Sequence, residues 1–532
     1  MSIIKNFSLI IIINIHFIST INCNKDNINN NNNNRYMKTR KRGAGILMHI
    51  TSLPSNYGIG TLGKEAYNFV DFLVKAKQTY WQMLPIGPTT LGDNPDNPYS
   101  PTSSYAGNPY MIDLDILISE KLLKEEEVKS EFWGDDKTMV DFRIQDSIKL
   151  PLLEKAFTRF KPNSVYDKFI TENKNWLDNY ALYMALKEKF NGTIWLNWPE
   201  DIKKRKPENI NYYKKELEYK INLIKFIQFK FYEQFNNLKQ YCKKNNIKLI
   251  GDVPIYVKLD GCDAWTNPEI FQLDENYIPK FISGSPPDFS NPEGTLWYNP
   301  CYNWDLMIKD DFKWYINRLK HLGKFFDIIR IDHFQGLVNY WSIPYGASSA
   351  KNGKYEKGPG IKLINAIHKY LPDIDFILED LGFLTEETID LRKKSGFPGM
   401  KILQYAFNPY EKSIYLPYFY DKNTVVYPGT HDNEVLAKWQ NDISKEERFY
   451  CEKYFGLPSG SDLRWPVIRG GMSSVAFLFI AQMQDYIGLG GESRMNVIGV
   501  NNGKNFRWRA TREQISDNLA EKIGHLTEIY GR

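Results

Sequence analysis

Short apolar runs recur along the chain, and each is followed by polar residues and then by a stretch with helical spacing. Seven of these runs have the length and composition of buried strands. The runs are GILMHI (45–50), YWQMLPI (80–86), IKLIGDVPIYV (247–257), FFDIIRID (325–332), DFILEDL (375–381), MKILQYAF (400–407) and TVVYPGTHD (424–432). The helices that we expect among them include residues 63–77, 310–324, 384–395 and 472–487.

Strands that alternate with helices seven or eight times indicate a parallel sheet with both faces covered. At this chain length a (β/α)8 barrel closes such a sheet most economically. One interval, residues 115–245, is helix-like, rich in Lys, Glu, Trp and Tyr, and has no convincing strand. We therefore predict an α/β protein, a TIM barrel over residues 43–532 with a helical insertion between barrel strands two and three.

The first 42 residues differ in composition from the rest of the chain. SLIIIINIHFIST, after Lys5, is typical of the apolar core of a signal peptide over residues 1–23 and is short for a membrane span. Residues 24–42 are Asn-rich and basic with almost nothing to bury, which predicts a disordered leader. The segment resembles the two-part leaders of complex plastids, but an Asn-rich extension without function on a cytoplasmic protein fits equally well.

Net charge and cysteine content give no support for nucleic-acid binding, membrane binding or a zinc site. The formal net charge is +5, but residues 1–42 contain seven Lys and Arg against one Asp, so the remaining 490 residues carry −1. A balanced body gives no electrostatic reason to expect nucleic acid or an anionic membrane as partner. The later cysteines, Cys242, Cys262, Cys301 and Cys451, have neither CxxC pairs nor zinc-ligand spacing, and we expect free thiols.

Four of the strand-like runs end in acidic residues. These residues are Asp252, Asp332, Glu379 with Asp380, and Asp432. The carboxyl ends of the strands in such a barrel form one rim, where active sites lie, so these side chains should meet in one cleft. Side chains two positions apart on a strand point the same way, so Arg330 should lie beside Asp332, keep it ionised and lower its pKa, as a nucleophile requires.

Each of these residues also has an ordinary structural interpretation. An acid at the end of a single apolar run is more often a helix N-cap or a solvated loop residue. Four such acids, accompanied by Arg330, His333 and His431, favour a common site, although either histidine alone would be read as a satisfied loop residue. Because Glu379 and Asp380 point to opposite sides, only one can enter the cleft, and we assign Asp380 the structural role.

Rim carboxylates fit two chemistries. Two cooperating carboxylates with a third polarising group suit retaining glycosyl transfer, with one as nucleophile and the other as acid/base. The same Asp, His and Glu side chains would instead hold a divalent metal for hydrolysis. The chain has no HExxH motif and only seven histidines, so glycosyl transfer is the leading interpretation.

A series of longer motifs resembles glycoside hydrolase family 77, the 4-α-glucanotransferases known as amylomaltases or disproportionating enzymes. The motifs follow one another from about residue 43 to 530 and so cover the whole body of the chain. They are GILMHITSLPSNYGIGTLGKEAYNFVDFL, YWQMLPIGPT, SPTSSYAGNPYMIDL, GDVPIYV, GSPPDFS, LWYNPCYNW, IRIDHFQG, ILEDLGFLT, GMKILQYAFNP, YPGTHDNE and ESRMN.

The resemblance implies an α-amylase-type barrel that breaks an α-1,4-glucan and transfers the released segment to the 4-hydroxyl of another glucose or glucan, in starch or maltodextrin metabolism. It implies that Asp332 is the nucleophile and that Glu379 is the general acid/base. Asp432 and His431 would bind the hydroxyls of the sugar at the cleaved bond. The remaining substrate-binding residues implied are Tyr99, Asp252, Asp288, Trp297 and Arg330. Maltooligosaccharides are the implied partners, and neither a metal nor an organic cofactor is implied.

Two stretches depart from the family pattern. Relatives typically read PPDYFS and carry a Gln before the Trp, whereas here Phe289 is followed by Ser290, and Thr295 stands near Trp297. Because this loop overhangs the acceptor side in the family, acceptor length and cyclisation are not predicted. Near the C-terminus, Ile498 and Phe506 replace the usual Pro and Trp.

Two other functions compete with transfer. A hydrolase would use the same site, and transfer requires that an acceptor sugar outcompete water. A non-catalytic glucan-binding protein would be marked by loss of a carboxylate, whereas Asp332, Glu379 and Asp432 are all present. If the mechanism is retaining, Asp332 and Glu379 should lie about 5–5.5 Å apart, and Glu379 should have the more raised pKa.

Overall fold

A computed structural model describes residues 40–89, 97–287, 291–382, 384–500 and 503–532. Within these ranges the chain forms twelve strands. The strands are β1 (Gly43–Leu47), β2 (Tyr80–Gln82), β3 (Lys248–Val253), β4 (Phe281–Ser285), β5 (Thr295–Pro300), β6 (Ile328–Ile331), β7 (Asn339–Pro344), β8 (Lys354–Lys357), β9 (Asp375–Leu378), β10 (Gly399–Ile402), β11 (Thr424–Tyr427) and β12 (Leu478–Gln482).

Eight strands close into a barrel in the order β1-β12-β11-β10-β9-β6-β3-β2, and all eight neighbouring pairs are parallel. The predicted TIM barrel is confirmed, and each of the seven predicted strands overlaps a barrel strand. Every residue of β1, β6, β11 and β12 is buried. Burial from both faces explains why these segments are continuous apolar runs instead of alternating patterns.

The helix predicted over residues 472–487 is wrong, because this segment contains β12, the eighth barrel strand. Short helices, Arg464–Ser473 and Met483–Ile487, flank the strand instead. The apolar run VAFLFIA (475–481) is hydrophobic at every position, and such a run does not distinguish a buried strand from a buried helix by its period.

The other predicted helices are confirmed within a few residues at each end. The α-helices are Lys64–Lys75, Leu114–Ser119, Glu125–Lys129, Phe142–Ile144, Leu150–Arg159, Ser164–Lys189, Glu200–Lys203, Pro207–Glu216, Glu218–Lys244, Cys262–Thr266, Trp304–Lys309, Lys313–Leu322, Ile361–Tyr370, Glu386–Ser395, Leu436–Asp442, Lys445–Tyr454, Arg464–Ser473, Met483–Ile487 and Asp517–Ile529. In the described part of the chain, no helix is long and apolar enough to cross a membrane.

Between β2 and β3 the described residues form helices and loops, and none of the twelve strands lies there. Two buried glutamines of the long helix Glu218–Lys244 bind the backbone of the segment at residues 107–113, which follows β2. The amide of Gln228 bonds both the N–H and the C=O of Gly107, at 2.7 and 2.9 Å, and the amide of Gln234 does the same for Asp113, at 2.7 and 3.1 Å. Because each glutamine satisfies two buried backbone groups, the segment is fixed against the helix.

Four further strands form an antiparallel sheet in the order β5-β4-β7-β8. The register of β4 against β5 shifts between Ile282 and Gly284, so residues 297–299 bulge from β5. A bulge turns a side chain away from the regular face of a strand. Here the ring of Trp297 lies edge-on to the ring of His333, with ring centres 4.8 Å apart.

The predicted signal peptide and nearly all of the predicted leader lie outside the described residues. Two residues that we placed in the leader, Arg40 and Arg42, are bound to the barrel. The Arg40 guanidinium donates to both oxygens of Asp375 at 3.1 and 2.7 Å, and that of Arg42 donates to backbone carbonyls that include those of Met472 and Ser474. Cys242, Cys262, Cys301 and Cys451 are buried free thiols, as predicted.

Candidate active site

Three neighbouring barrel strands bring charged residues to one rim. Asp252 on β3 and Arg330 on β6 are direct register partners, and Arg330 in turn faces Ile377 of β9. Asp332 and Glu379 are the first residues after β6 and β9. Since the carboxyl ends of parallel strands lie at the same end of the barrel, these four charged side chains converge, as predicted.

The guanidinium of Arg330 contacts all three carboxyl groups. Its Nη1 atom donates to Oδ1 and Oδ2 of Asp252 at 2.7 and 2.6 Å and to Oδ1 of Asp332 at 3.1 Å. Its Nη2 atom lies 3.6 Å from Oε2 of Glu379. The side chains of Arg330 and Asp252 are 1% and 0% exposed, whereas those of Asp332 and Glu379 are 25% and 20% exposed. Asp332 and Glu379 are therefore the carboxyl groups that a ligand could reach.

One positive charge among three carboxyl groups favours retention of a proton. Burial raises the pKa of Glu379 to about 8, against the charge of Arg330, and the nearby carboxyl group of Asp332 adds to the rise. Burial also raises the pKa of Asp332, although Arg330 and a hydrogen bond with Glu379 act in the opposite direction. Our expectation of a lowered pKa for Asp332 was wrong, because it left out the cost of burying the charge. We assign the retained proton to Glu379.

Asp432 enters the site from the loop after β11. Its Oδ1 accepts a hydrogen bond from Nδ2 of Asn496 at 2.6 Å, and its Oδ2 lies 3.3 Å from Nε2 of His431. The same Nε2 atom is 2.6 Å from the hydroxyl of Tyr99, which donates to Asp252 at 2.8 Å. A continuous polar chain thus links Asp432 to the carboxyl group that anchors Arg330.

Several residues that hold this site were missed from sequence. Asn496 binds the Asp432 carboxyl group, Arg494 donates to the Asp432 carbonyl at 2.8 Å, and Tyr405 accepts a hydrogen bond from Asn433 at 2.6 Å. Arg494 and Asn496 lie in the ESRMN motif, so the motif was seen but no role was given to it. They reach the site from an irregular segment after β12, where no hydrophobic period places a side chain.

His333 and Asp380 take different roles beside Glu379. The backbone N–H of His333, a residue with left-handed φ of 49°, donates to Oε2 of Glu379, so His333 serves Glu379 through its main chain. Asp380 accepts a hydrogen bond from the N–H of Met400 at 2.6 Å and pairs with Arg392 at 3.0 Å. Asp380 therefore has a structural role, as predicted, but it is a buried, ion-paired residue and neither a helix N-cap nor a solvated loop residue.

Of the two remaining predicted site residues, Trp297 and Asp288, the structure describes only Trp297. Trp297 lies against His333, beside Glu379, whereas Asp288 lies outside the described residues. Among the residues that the structure describes, no group of three or more His, Cys, Asp or Glu side chains is arranged to hold a metal ion. The positive charge that faces the carboxyl groups is that of Arg330.

Known proteins that are similar to this chain are 4-alpha-glucanotransferases. The sequence model of the 4-alpha-glucanotransferase family, glycoside hydrolase family 77, matches residues 48–514. A 4-alpha-glucanotransferase of Clostridium butyricum is 47% identical over 489 residues, which span 91% of this chain and all of the relative. A chloroplastic/amyloplastic 4-alpha-glucanotransferase of Solanum tuberosum is 36% identical over 504 residues, which span 92% of this chain and 87% of the relative.

The fold is also similar to that of a solved structure. The amylomaltase from Streptococcus agalactiae in complex with acarbose is 37% identical and superposes with a TM-score of 0.89, covering 92% of this chain and 100% of that one. The chain belongs to the 4-alpha-glucanotransferase family.

Proposed function

We propose that this protein cleaves an α-1,4-glucan and transfers the released segment, with retention of configuration, to the 4-hydroxyl of another glucose or glucan. The observation that carries the proposal is the pair of accessible carboxyl groups, Asp332 and Glu379, on one buried guanidinium at the barrel rim. Family membership and the names of the relatives support glucan transfer.

The first half-reaction uses both carboxyl groups. An oxygen of Asp332 attacks the anomeric carbon while Glu379 gives its proton to the leaving glycosidic oxygen, which departs as the new non-reducing end of one glucan. The donor segment remains as an ester of Asp332. In the second half-reaction the 4-hydroxyl of the acceptor loses its proton to Glu379 and attacks the same carbon, and Asp332 leaves as a carboxylate. Two inversions retain the α configuration.

The change in charge of Asp332 during the reaction explains how Glu379 can act first as acid and then as base. The carboxyl group of Asp332 contributes to the raised pKa of Glu379 before the reaction. Esterification removes that negative charge, so the pKa of Glu379 falls in the intermediate, where a base is required. Arg330 also orients Asp332 and neutralises it when the carboxylate is released.

The other predicted residues bind the sugar in this proposal. Asp432 and His431 hold hydroxyls of the sugar at the cleaved bond and favour its flattened, oxocarbenium-like form. Tyr99 supports the same sugar, whereas the fully buried Asp252 acts indirectly, because it holds Arg330 and Tyr99 in place. Trp297 offers an aromatic face near His333, and Asp288 stays a prediction.

The biological setting is also a proposal. The chloroplastic/amyloplastic name of the potato relative supports a role in starch or maltodextrin metabolism. The signal peptide over residues 1–23 and the leader over residues 24–42, apart from the barrel-bound Arg40 and Arg42, remain predictions from composition. The hydrolase alternative is not favoured, because the relatives are named as transferases.

Incubation with maltotriose should give a ladder of longer maltooligosaccharides together with glucose, because each glycosyl-enzyme is captured by another sugar. Chromatography of the products over time checks this expectation. Maltose and glucose alone, without longer products, would show that water captures the intermediate and would replace transfer by hydrolysis.

The variants Asp332→Asn, Glu379→Gln and Asp432→Asn should each lose activity by roughly 10²–10⁴-fold or more, because each removes a group that acts on the transition state. Turnover of maltotriose and the thermal unfolding midpoint are measured together, and the midpoint should stay close to wild type. Asp380→Asn is the matched control: it can keep the hydrogen bond from Met400, but loss of the ion pair with Arg392 should lower the midpoint and leave most turnover. Near-normal turnover in any of the first three would reject the role given to that residue.

The pH dependence of kcat/KM should show a fall in activity as pH rises through about 8, because Glu379 has a pKa of about 8 and must be protonated to act as the acid. The carboxyl group of Asp332 contributes to this value, so Asp332→Asn should lower the pKa of Glu379. NMR titration of ¹³C-labelled glutamate carboxyls measures the shift. An unchanged or higher pKa in the variant would contradict the electrostatic coupling of the pair.

A further inference from the structure

A small cavity lies behind His431, between the rim ends of two adjacent barrel strands. It is lined by His49, just after β1, by Gln482, the last residue of β12, and by His431 in the loop after β11. β12 pairs with both β1 and β11, and Gln482 is the register partner of Leu47. The cavity offers about 10 Å³ to the centre of a water molecule, so it has room for a water.

Four polar atoms around this cavity have no protein partner among the described residues. Nδ1 of His49, Nδ1 of His431 and both amide atoms of Gln482 are buried without a hydrogen bond to any other described residue. The three residues are 5%, 2% and 1% exposed. Leaving a buried polar atom without a hydrogen bond is destabilising, so four such atoms around one cavity of this size point to a bound polar molecule.

The hydrogen bonds on the other side of His431 determine its tautomer. The hydroxyl of Tyr99 donates to Asp252 at 2.8 Å, and this carboxyl group also accepts from Arg330. The Tyr99 oxygen is therefore an acceptor toward Nε2 of His431, which lies 2.6 Å away. Nε2 must carry the proton, and Nδ1 presents a lone pair to the cavity.

Both histidines are neutral in this environment. Burial, together with the neighbouring His431, lowers the pKa of His49 to about 3. Burial also lowers the pKa of His431, although the charge of Asp432 opposes this shift. A neutral His431 with its proton on Nε2 needs a donor at Nδ1, and a neutral His49 can supply an N–H to the same cavity.

We propose that the cavity holds one water molecule that donates to Nδ1 of His431, accepts from Nδ1–H of His49 and bonds the amide of Gln482. His49 and Gln482 are then positioning residues that act on the reaction through His431. Without this water, Nδ1 of His431 has no donor, and the ring can flip or move its proton to Nδ1. Either change breaks the donation from Nε2 to Tyr99 and the contact with Asp432. The effect on turnover rests on the proposed function, whereas the tautomer does not.

The tautomer is measured by ¹⁵N NMR of labelled histidine at neutral pH, with the His431 signals assigned by their loss in His431→Asn. We expect wild-type His431 to be neutral, protonated at Nε2 and hydrogen-bonded at Nδ1. Gln482→Leu and His49→Phe should introduce a population protonated at Nδ1. In maltotriose transfer they should lower kcat by about tenfold with KM changed less than twofold, whereas His49→Gln, which keeps an N–H donor, should recover most of kcat.

Gln78→Leu is the matched control. Gln78 is also buried with an unpartnered amide oxygen, but its amide nitrogen bonds Ala76 and Thr527, outside the active site. This variant should keep both the His431 tautomer and kcat. Equal effects of Gln78→Leu and Gln482→Leu would overturn the proposal, because the effect would then be a general cost of losing a buried amide.

Two outcomes in the wild-type protein decide the question even if the variants fail to fold. A His431 protonated at Nδ1 would overturn the assigned tautomer. A high-resolution crystal structure should show one water oxygen within hydrogen-bond distance of Nδ1 of His431 and the amide of Gln482. A direct bond between the two Nδ1 atoms, with no water in the cavity, would overturn the proposed ligand.

Discussion

The site depends on one buried guanidinium, that of Arg330, which must serve three carboxyl groups at once. Asp252, on the adjacent strand, is fully buried and binds Arg330 through both oxygens, so it fixes the guanidinium beneath the cleft. Breaking such a buried pair by removing one partner typically costs 3–5 kcal/mol. Because the single positive charge cannot neutralise all three carboxyl groups, a proton stays with Glu379, and this shared charge produces both the acid and the nucleophile of the proposed mechanism.

Much of the fold and site follows from local sequence patterns. The apolar runs located seven of the eight barrel strands, because strands buried on both faces must be apolar throughout. The spacing of two residues between Arg330 and Asp332 was enough to place them side by side, and the alternation of neighbours was enough to separate Glu379 from Asp380. These features depend only on the geometry of a strand.

The features that could not be predicted from the sequence depend on which residues the folded chain buries and brings together. β12 was predicted as a helix, because its first four residues, 478–481, are all apolar and show no period that identifies a strand. The pKa of Asp332 was predicted in the wrong direction because burial acts against Arg330, and burial is not visible in a pair of residues. Asn496 and His49 lie in motifs that gave no role to them, and Gln482 lies in no motif. They matter because the closed barrel brings β1, β11 and β12 together behind Asp432 and His431.

The central claim is that Asp332 forms a covalent bond with the donor sugar while Glu379 handles the proton. Mass spectrometry of the Glu379→Gln variant mixed with α-maltosyl fluoride tests it most directly. Fluoride leaves without a proton, so the first half-reaction can proceed, whereas the second lacks its base and the intermediate should accumulate. The account predicts a maltosyl adduct on the peptide that contains Asp332. Fluoride release without an adduct, with a product of inverted configuration, would contradict it.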